Sequence, residues 1–430
     1  MHATISAAHN LKANISVPGD KSISHRALML GSIAKGRTVV KNISPAADCA
    51  STARCLQQLG IDITYSEDNT VLIDGHGLRG LTEPKSVLDA GNSGTTARLL
   101  SGILAGHPFC SILTGDDSLR TRPMDRIIKP LTQMGAVTLG RGNDRFLPLA
   151  MRGGYLKPLH YATPVPSAQV KSAILLAGLY AEGETIVEEA KPTRDHTERM
   201  LKAMGVPLKQ EGNSIAVEGL QGPSNSRIVV PGDISSAAFF LIAAAITPGS
   251  LIVVRNVGIN PARTGFVDVL RAMGATIEIE NERLTNGEPV ADISCHTSAL
   301  RGVTIEGDIV PRLIDELPII AIAATQAEGV TVVRNAEELK VKESDRIVAI
   351  VAELSRLGAK IDATADGFVI EGPTPLRGAR CLSHQDHRIA MSLAIAALVA
   401  RGDTTIEDVD CVDISFPGFF GLLDRIRKGV

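Results

Sequence analysis

The sequence predicts an α/β protein of two inside-out domains, each built from three repeated βαβαββ-type units with buried helices. Three observations predict it. A short apolar helix rich in small residues and closed by Gly occurs six times, over residues 27–36, 97–106, 172–183, 236–249, 318–329 and 389–402. A β-branched strand follows each, from Thr38-Val39-Val40 in the first to Thr404-Thr405-Ile406 in the last. Finally, Val-Pro-Gly-Asp stands at 17–20 and again at 230–233, each time ahead of an apolar helix, and divides the six repeats three and three.

Within a repeat the first helix is apolar nearly all round, so it is expected to be buried on every side. Its closing Gly is expected at C′, where a left-handed backbone costs least. A second helix follows with one apolar stripe, as in Arg126-Ile127-Ile128-Lys129-Pro130-Leu131, and is expected to face water. Five of these end alike, at Leu59-Gly60, Met134-Gly135, Met204-Gly205, Met273-Gly274 and Leu357-Gly358. Strands of period two come next, such as Ala275-Thr276-Ile277-Glu278-Ile279-Glu280. The sixth repeat stops at Lys428-Gly429-Val430 without its strand pair, and residues 3–17 are expected to supply it. The expected domains are therefore 19–230, and 1–18 plus 231–430, with a site between them where helix N-termini converge.

Composition narrows the function classes. A net charge of -3, no Trp and few aromatic residues give neither a broad basic face nor a stacking platform, so no nucleic acid is expected. The six Cys form no metal-ligand spacing or disulfide framework and read as reduced cytosolic thiols. The first residues lack a charged segment followed by a long apolar run, and the other apolar runs are short and Gly-punctuated. No signal peptide and no membrane span are expected.

The polar residues ahead of the helices carry the chemistry. The buried-helix heads hold Lys21, Ser22 and Arg26; Asn92, Gly94, Thr95 and Arg98; Ser167, Ala168 and Gln169; Asp233 and Ser235; Asp315; and His387 and Arg388. Second-helix heads add Arg122, Arg194, Lys342, Glu343 and Arg346. Asp20 and Ser22 are both candidate N-caps. Cations gathered at helix N-termini in a nearly neutral protein point to a phosphorylated or carboxylated small molecule. Asp315 and Glu343, set among them, can take and give a proton, and a salt bridge is the alternative reading of each. His25, His196 and His387 read as structural donors, not metal ligands.

The motifs Pro18-Gly19-Asp20-Lys21-Ser22-Ile23-Ser24-His25-Arg26, Gly91-Asn92-Ser93-Gly94-Thr95, Arg122-Pro123-Met124, Lys342-Glu343-Ser344-Asp345-Arg346 and Asp386-His387-Arg388 together resemble the enolpyruvyl transferases, and within them the members acting on shikimate 3-phosphate. The resemblance covers essentially the whole chain. It implies transfer of the enolpyruvyl group of phosphoenolpyruvate to the 5-hydroxyl of shikimate 3-phosphate by addition and elimination, with release of phosphate, in aromatic amino-acid biosynthesis. It also implies no metal or organic cofactor and a cytoplasmic enzyme; a monomer is expected. Carried over by position, Asp315 is the base at the attacked hydroxyl, Glu343 the acid toward C3 of the enol, and Lys21 touches both substrates. Ser22, Arg26, Ser167, Ala168, Gln169, Asp315, Lys342 and Arg194 hold shikimate 3-phosphate. Gly94, Arg122, Gln169, Arg346 and Arg388 hold phosphoenolpyruvate, with Asn92, Thr95, Arg98 and His387 in support. Gly94 implies room for glyphosate in the phosphoenolpyruvate site. The sequence departs from the family pattern at Ser93, Leu99, Thr193 and Ser415, the last of which replaces an expected Lys.

Two alternatives are weighed. A transferase acting on UDP-N-acetylglucosamine is expected to carry a reactive Cys, and Gly115-Asp116-Asp117-Ser118-Leu119-Arg120 has none. A non-catalytic phosphometabolite binder has no use for both Asp315 and Glu343.

Overall fold

The structure, a computed structural model, describes residues 1–67 and 69–429. Asp68 and Val430, the last residue of the expected second domain, lie outside the described residues. The chain divides into two compact units, Gly19–Val230 with Thr285–Glu288, and Met1–Pro18 with Pro231–Leu284 and Pro289–Val430. Each has its own apolar core.

Helices of eight residues or more alternate in kind. They are α1 (Lys21–Ile33), α2 (Ala47–Gln58), α3 (Gly94–Leu104), α4 (Asp125–Met134), α5 (Ala168–Gly178), α6 (His196–Ala203), α7 (Ile234–Ile246), α8 (Gly265–Ala272), α9 (Leu317–Thr325), α10 (Arg346–Arg356), α11 (His387–Ala397) and α12 (Phe419–Lys428). The odd-numbered helices are the apolar ones. Every residue of α7 and α9 is buried, and each buried Leu, Ile or Phe contributes about 1.5–3 kcal/mol. Even-numbered helices bury a stripe: α4 buries Ile127, Ile128, Pro130, Leu131 and Met134 and turns Lys129, Thr132 and Gln133 outward. Strands such as Glu184–Glu188 alternate buried and half-exposed residues, so the sheets cover the buried helices on one face only.

The second repeat shows the wiring. Leu88–Asp89 precedes α3 and pairs in parallel with Cys110–Thr114, which follows it. Phe146–Arg152 and then Val137–Gly140 extend the sheet antiparallel. The first sheet of each unit takes its parallel edge strand from the end of the segment that precedes the other unit. Arg227–Val229 joins Lys35–Lys41, and Lys12–Ser16 joins Leu251–Gly258.

Two sequence expectations are corrected here. Residues 3–17 do not all complete the sixth repeat. His2–Ile5 pairs with Thr404–Glu407 there, but Asn10, at φ 55°, redirects the chain, its amide donating to Pro248 O at 2.9 Å, and Lys12–Ser16 joins the fourth repeat's sheet. Of the six glycines after the buried helices, only Gly106 follows its C-cap directly, at C′ of α3, and it is not left-handed; the other five lie further on. α1 ends at Ile33 with Ala34 as C-cap, and Gly36, at φ 97°, lies inside the strand Lys35–Lys41. The left-handed residue is needed where the chain turns into the strand. The left-handed C′ role belongs to Gly60, Gly205, Gly274 and Gly358 after the second helices, and Gly135 is itself the left-handed C-cap of α4.

The two Val-Pro-Gly-Asp segments are built alike. Asp20 caps α1 by accepting from Ile23 N at 2.9 Å, and Asp233 caps α7 by accepting from Ser235 N at 2.9 Å. Of the two candidate caps, Asp20 therefore serves, and Ser22 is the second residue of the helix. A Cβ at Gly19 would lie 1.9 Å from Asn42 O, so only Gly fits there.

Candidate active site

In the Gly19–Val230 unit the heads of α1, α3 and α5 carry the predicted residues. Lys21, the first residue of α1, places Nζ 2.9 Å from Asp48 Oδ2 of α2. Arg26, one turn on, is buried. Its Nε donates to Thr197 Oγ1 of α6 at 2.7 Å and its Nη2 to Ser172 Oγ of α5 at 2.8 Å, while Nη1 donates to Ser22 O at 3.0 Å. Burial lowers its guanidinium to about 10, against the pull of Glu198 and Asp20, so it stays charged at neutral pH.

Ser93 caps α3, which makes Gly94 its first residue. Asn92 accepts from Arg122 Nη2 at 2.9 Å and donates to Asp116 Oδ2 at 2.7 Å, so the amide orients the guanidinium. Arg98 donates to Gln169 Oε1 at 2.5 Å, and Gln169 Nε2 donates to Thr95 Oγ1 at 3.1 Å. Ser167 caps α5, and Ala168 opens that helix. The structure thus brings together Asn92 with Arg122, and Thr95, Arg98 and Gln169. Gly94 lies beside both arginines: an added Cβ would sit 3.7 Å from Nη1 of Arg122 and 3.7 Å from Nη1 of Arg98. Arg194 lies between Glu184–Glu188 and α6, and its charge is felt by Arg26.

A buried hydroxyl chain joins the first two heads. His25 Nδ1 is 2.7 Å from Thr52 Oγ1, which is 2.6 Å from Thr96 Oγ1, which donates to Ser93 Oγ at 2.7 Å. Burial, then the charges of Lys21 and Arg26, hold the His25 imidazole well below its ordinary value, so it is neutral in the folded protein. The unfolded chain takes up a proton near pH 6.5 that the folded chain refuses, so stability is lost as pH falls below that value, by at most about 1.4 kcal/mol per unit. The expected result is a Tm that falls on acidification from about pH 7 to pH 5.5 less steeply in His25→Gln than in the parent. Thermal melts across that range check it, and equal slopes refute it.

The other unit holds the carboxylates, around Arg346 at the first position of α10. Arg346 is buried; Nε donates to Asp386 Oδ2 at 2.7 Å and Nη2 to Glu343 Oε2 at 2.6 Å, and Nη1 lies 3.5 Å from Asp315 Oδ1. Although burial opposes its charge, Asp386, Glu343 and Asp315 hold the guanidinium above its ordinary value. Burial is the largest single influence and pushes Asp386 up, but the charge and hydrogen bond of Arg346 together with the charge of His387 leave it below the ordinary carboxylate range. Lys342 Nζ lies 3.5 Å from Asp315 Oδ1. Arg388 Nη1 donates to Asp315 O at 2.8 Å and lies 3.4 Å from Glu316 Oε1. His387 opens α11 behind the cap Asp386. Asp315 and Glu343 are therefore joined through one guanidinium.

Several partners carry no mark in the sequence. Asp48 holds Lys21, and Asp386 holds Arg346. Glu316, fully buried, bonds Ser235 Oγ, which accepts from Arg263 Nη2 at 2.6 Å. Asp386 opens the motif Asp386-His387-Arg388 and Glu316 is the residue after Asp315, but nothing there distinguishes a supporting carboxylate from a working one. Arg263 and Asp48 lie in other repeat positions and become partners only on folding. Among the described residues no cluster of His, Cys, Asp and Glu could hold a metal ion, and no helix is long and apolar enough to cross a membrane.

A family model described as EPSP synthase (3-phosphoshikimate 1-carboxyvinyltransferase) matches residues 5–423. The chain is 55% identical over 426 residues to a 3-phosphoshikimate 1-carboxyvinyltransferase of Bacillus cereus, covering 99% of each chain. It is 53% identical over 426 residues to one of Desulforamulus reducens, again covering 99% of each. The structure is similar to that of EPSP synthase from Acinetobacter baumannii, with a TM-score of 0.89 and 46% identity over 99% of this chain and 98% of that one.

Proposed function

The chain belongs to the EPSP synthase family, and from that premise we infer that it transfers the enolpyruvyl group of phosphoenolpyruvate to the 5-hydroxyl of shikimate 3-phosphate, releasing inorganic phosphate. The relatives' shared name does not favour UDP-N-acetylglucosamine as acceptor. What supports the reading in the geometry is the tethering of Asp315 and Glu343 to one buried Arg346. Addition needs one group to accept the proton of the attacking hydroxyl and another to protonate C3 of the enol as C2 is attacked; elimination takes the C3 proton back as phosphate leaves. In this reading Asp315 is the first group and Glu343 the second. Arg346, Arg388, Arg122 and Lys21 stabilise the phosphate and carboxylate of phosphoenolpyruvate, whose charge persists in the tetrahedral intermediate. Gln169 and Gly94 complete that set. Ser22, Arg26, Ser167, Ala168, Gln169, Arg194, Asp315 and Lys342 hold shikimate 3-phosphate, with Lys21 common to both. We further propose that it acts as a cytoplasmic monomer.

Gly94 sharpens the assignment. Neighbouring atoms leave ordinary room for a Cβ, so the fold does not require Gly there. A ligand anion seated between Arg98 and Arg122 does. Gly94→Ala is expected to keep its Tm and raise KM for phosphoenolpyruvate roughly 5- to 150-fold, the equivalent of about 1–3 kcal/mol of overpacking. Steady-state kinetics with each substrate varied checks it, and an unchanged KM removes Gly94 from the site. Glyphosate is expected to compete with phosphoenolpyruvate in the parent; unchanged turnover at glyphosate well above the phosphoenolpyruvate concentration refutes that.

The deciding experiment is phosphate release from phosphoenolpyruvate with shikimate 3-phosphate or UDP-N-acetylglucosamine as acceptor. Release with the shikimate acceptor alone is expected. Release only with the sugar nucleotide overturns the substrate, and release with neither overturns the reaction.

A further inference from the structure

Lys171 follows Ser167-Ala168-Gln169 and the buried Val170 in the third head, and the binding assignment above does not use it. It is 1% exposed, so no substrate can reach it. Its ammonium has three donors, and three groups of one segment surround it. Glu189 Oε2 lies at 2.8 Å, Glu198 Oε1 at 2.6 Å and Thr193 O at 3.5 Å. Glu189 Oε1 in turn accepts from Thr193 N at 3.1 Å and from Thr193 Oγ1. Glu189 follows the strand Glu184–Glu188, Glu198 lies in the first turn of α6, and Thr193 lies between them. One cation therefore gathers both ends and the middle of the segment that carries Arg194.

We propose that Lys171 is a positioning residue for shikimate 3-phosphate: by fixing Thr193 it fixes where Arg194 presents its guanidinium. The inference rests on the assignment of Arg194 to that substrate. Three bonds to Thr193, through its N–H, hydroxyl and carbonyl, are more than a connecting segment needs for its own backbone, and Arg194 is the next residue. The neighbours agree. Ser172, adjacent to Lys171, and Thr197, adjacent to Glu198, are bonded to each other at 2.7 Å and both accept from Arg26. Burial raises the Glu198 carboxyl above its ordinary value, and Lys171 opposes the rise.

The test uses the full chain and steady-state kinetics with each substrate varied, for the parent, Lys171→Met, Arg194→Ala and the double variant. Parent activity, and a rise in KM for shikimate 3-phosphate in Arg194→Ala, test the underlying assignment by themselves. Given those, Lys171→Met is expected to raise KM for shikimate 3-phosphate roughly tenfold, a size found for residues coupled in one bonded network. KM for phosphoenolpyruvate is expected to stay within about twofold, and the shikimate effect to shrink below about threefold when Arg194 is already Ala. A purely structural lysine moves both KM values together or acts additively with Arg194→Ala, and either result overturns the proposal. Should Lys171→Met not fold, Glu189→Gln, which keeps the shape and loosens the same clamp, is expected to give the same selective rise; its absence is equally decisive.

Discussion

Glu343→Gln is expected to lower kcat by about a hundred- to ten-thousand-fold, the range associated with a positioned acid or base, while KM for either substrate changes far less. Glutamine keeps the length and an oxygen for Arg346 Nη2, now 2.6 Å from Glu343 Oε2. Arg346 also keeps its bond to Asp386 at 2.7 Å, so the guanidinium stays in place. What is lost is the proton that C3 must gain and return. Asp315→Asn is expected to fall in the same range for the hydroxyl proton, with Lys342 and Arg346, each 3.5 Å from Oδ1, left beside a neutral amide. Exchange of solvent deuterium into C3 separates the two: it is expected to be lost in Glu343→Gln. Full activity in both variants refutes the assignment of proton transfer to these two carboxylates.

Arg346→Met carries the second large effect, on stability as well as turnover. The guanidinium is buried, and its removal leaves Asp386 buried with Glu343 and Asp315 close by. Breaking a buried ion pair by deleting one partner costs about 3–5 kcal/mol. For a unit of this size that reads as a Tm lower by roughly 6–20 °C. The pH dependence has a definite sign. Because Arg346 holds Asp386 below the ordinary carboxylate range, that interaction stabilises the fold above the unfolded carboxyl value near 3.9 and is lost as pH falls through the depressed folded value. Arg346→Met is therefore expected to be most destabilised relative to the parent near neutrality, with the gap closing in strong acid. Chemical denaturation at several pH values checks it; a constant gap contradicts the coupling.

Local chemistry made much of this legible. Helices that are apolar all round have nowhere to go but a core, and a β-branched run after each one fixes the repeat. The second-helix endings stand out because Leu-Gly or Met-Gly closes five amphipathic stripes, and those glycines are left-handed, with φ values of 86–111°. The glycines after the buried helices misled because a left-handed residue serves a strand start as well as a C′ position, and composition does not separate the two. Lys12–Ser16 was misplaced for a related reason: the turn at Asn10 that redirects it is one asparagine among several. The cations of the candidate site were visible as motif residues. Their anchors were not, since Lys171 with Glu198, and Ser235 with Glu316, are pairs that only the folded chain defines.

The pairing of His2–Ile5 with Thr404–Glu407 sets an order on biosynthesis. A ribosome makes the first strand some four hundred residues before its partner, while every strand of the Gly19–Val230 sheets has its neighbour by residue 229. At roughly 5–20 residues per second, about 10–40 s separate completion of that unit's sheets from the last strand the other requires. Translation therefore yields a folded segment with a loose leading tail, and pauses late in the message lengthen the interval in which those early residues are open to proteases and chaperones.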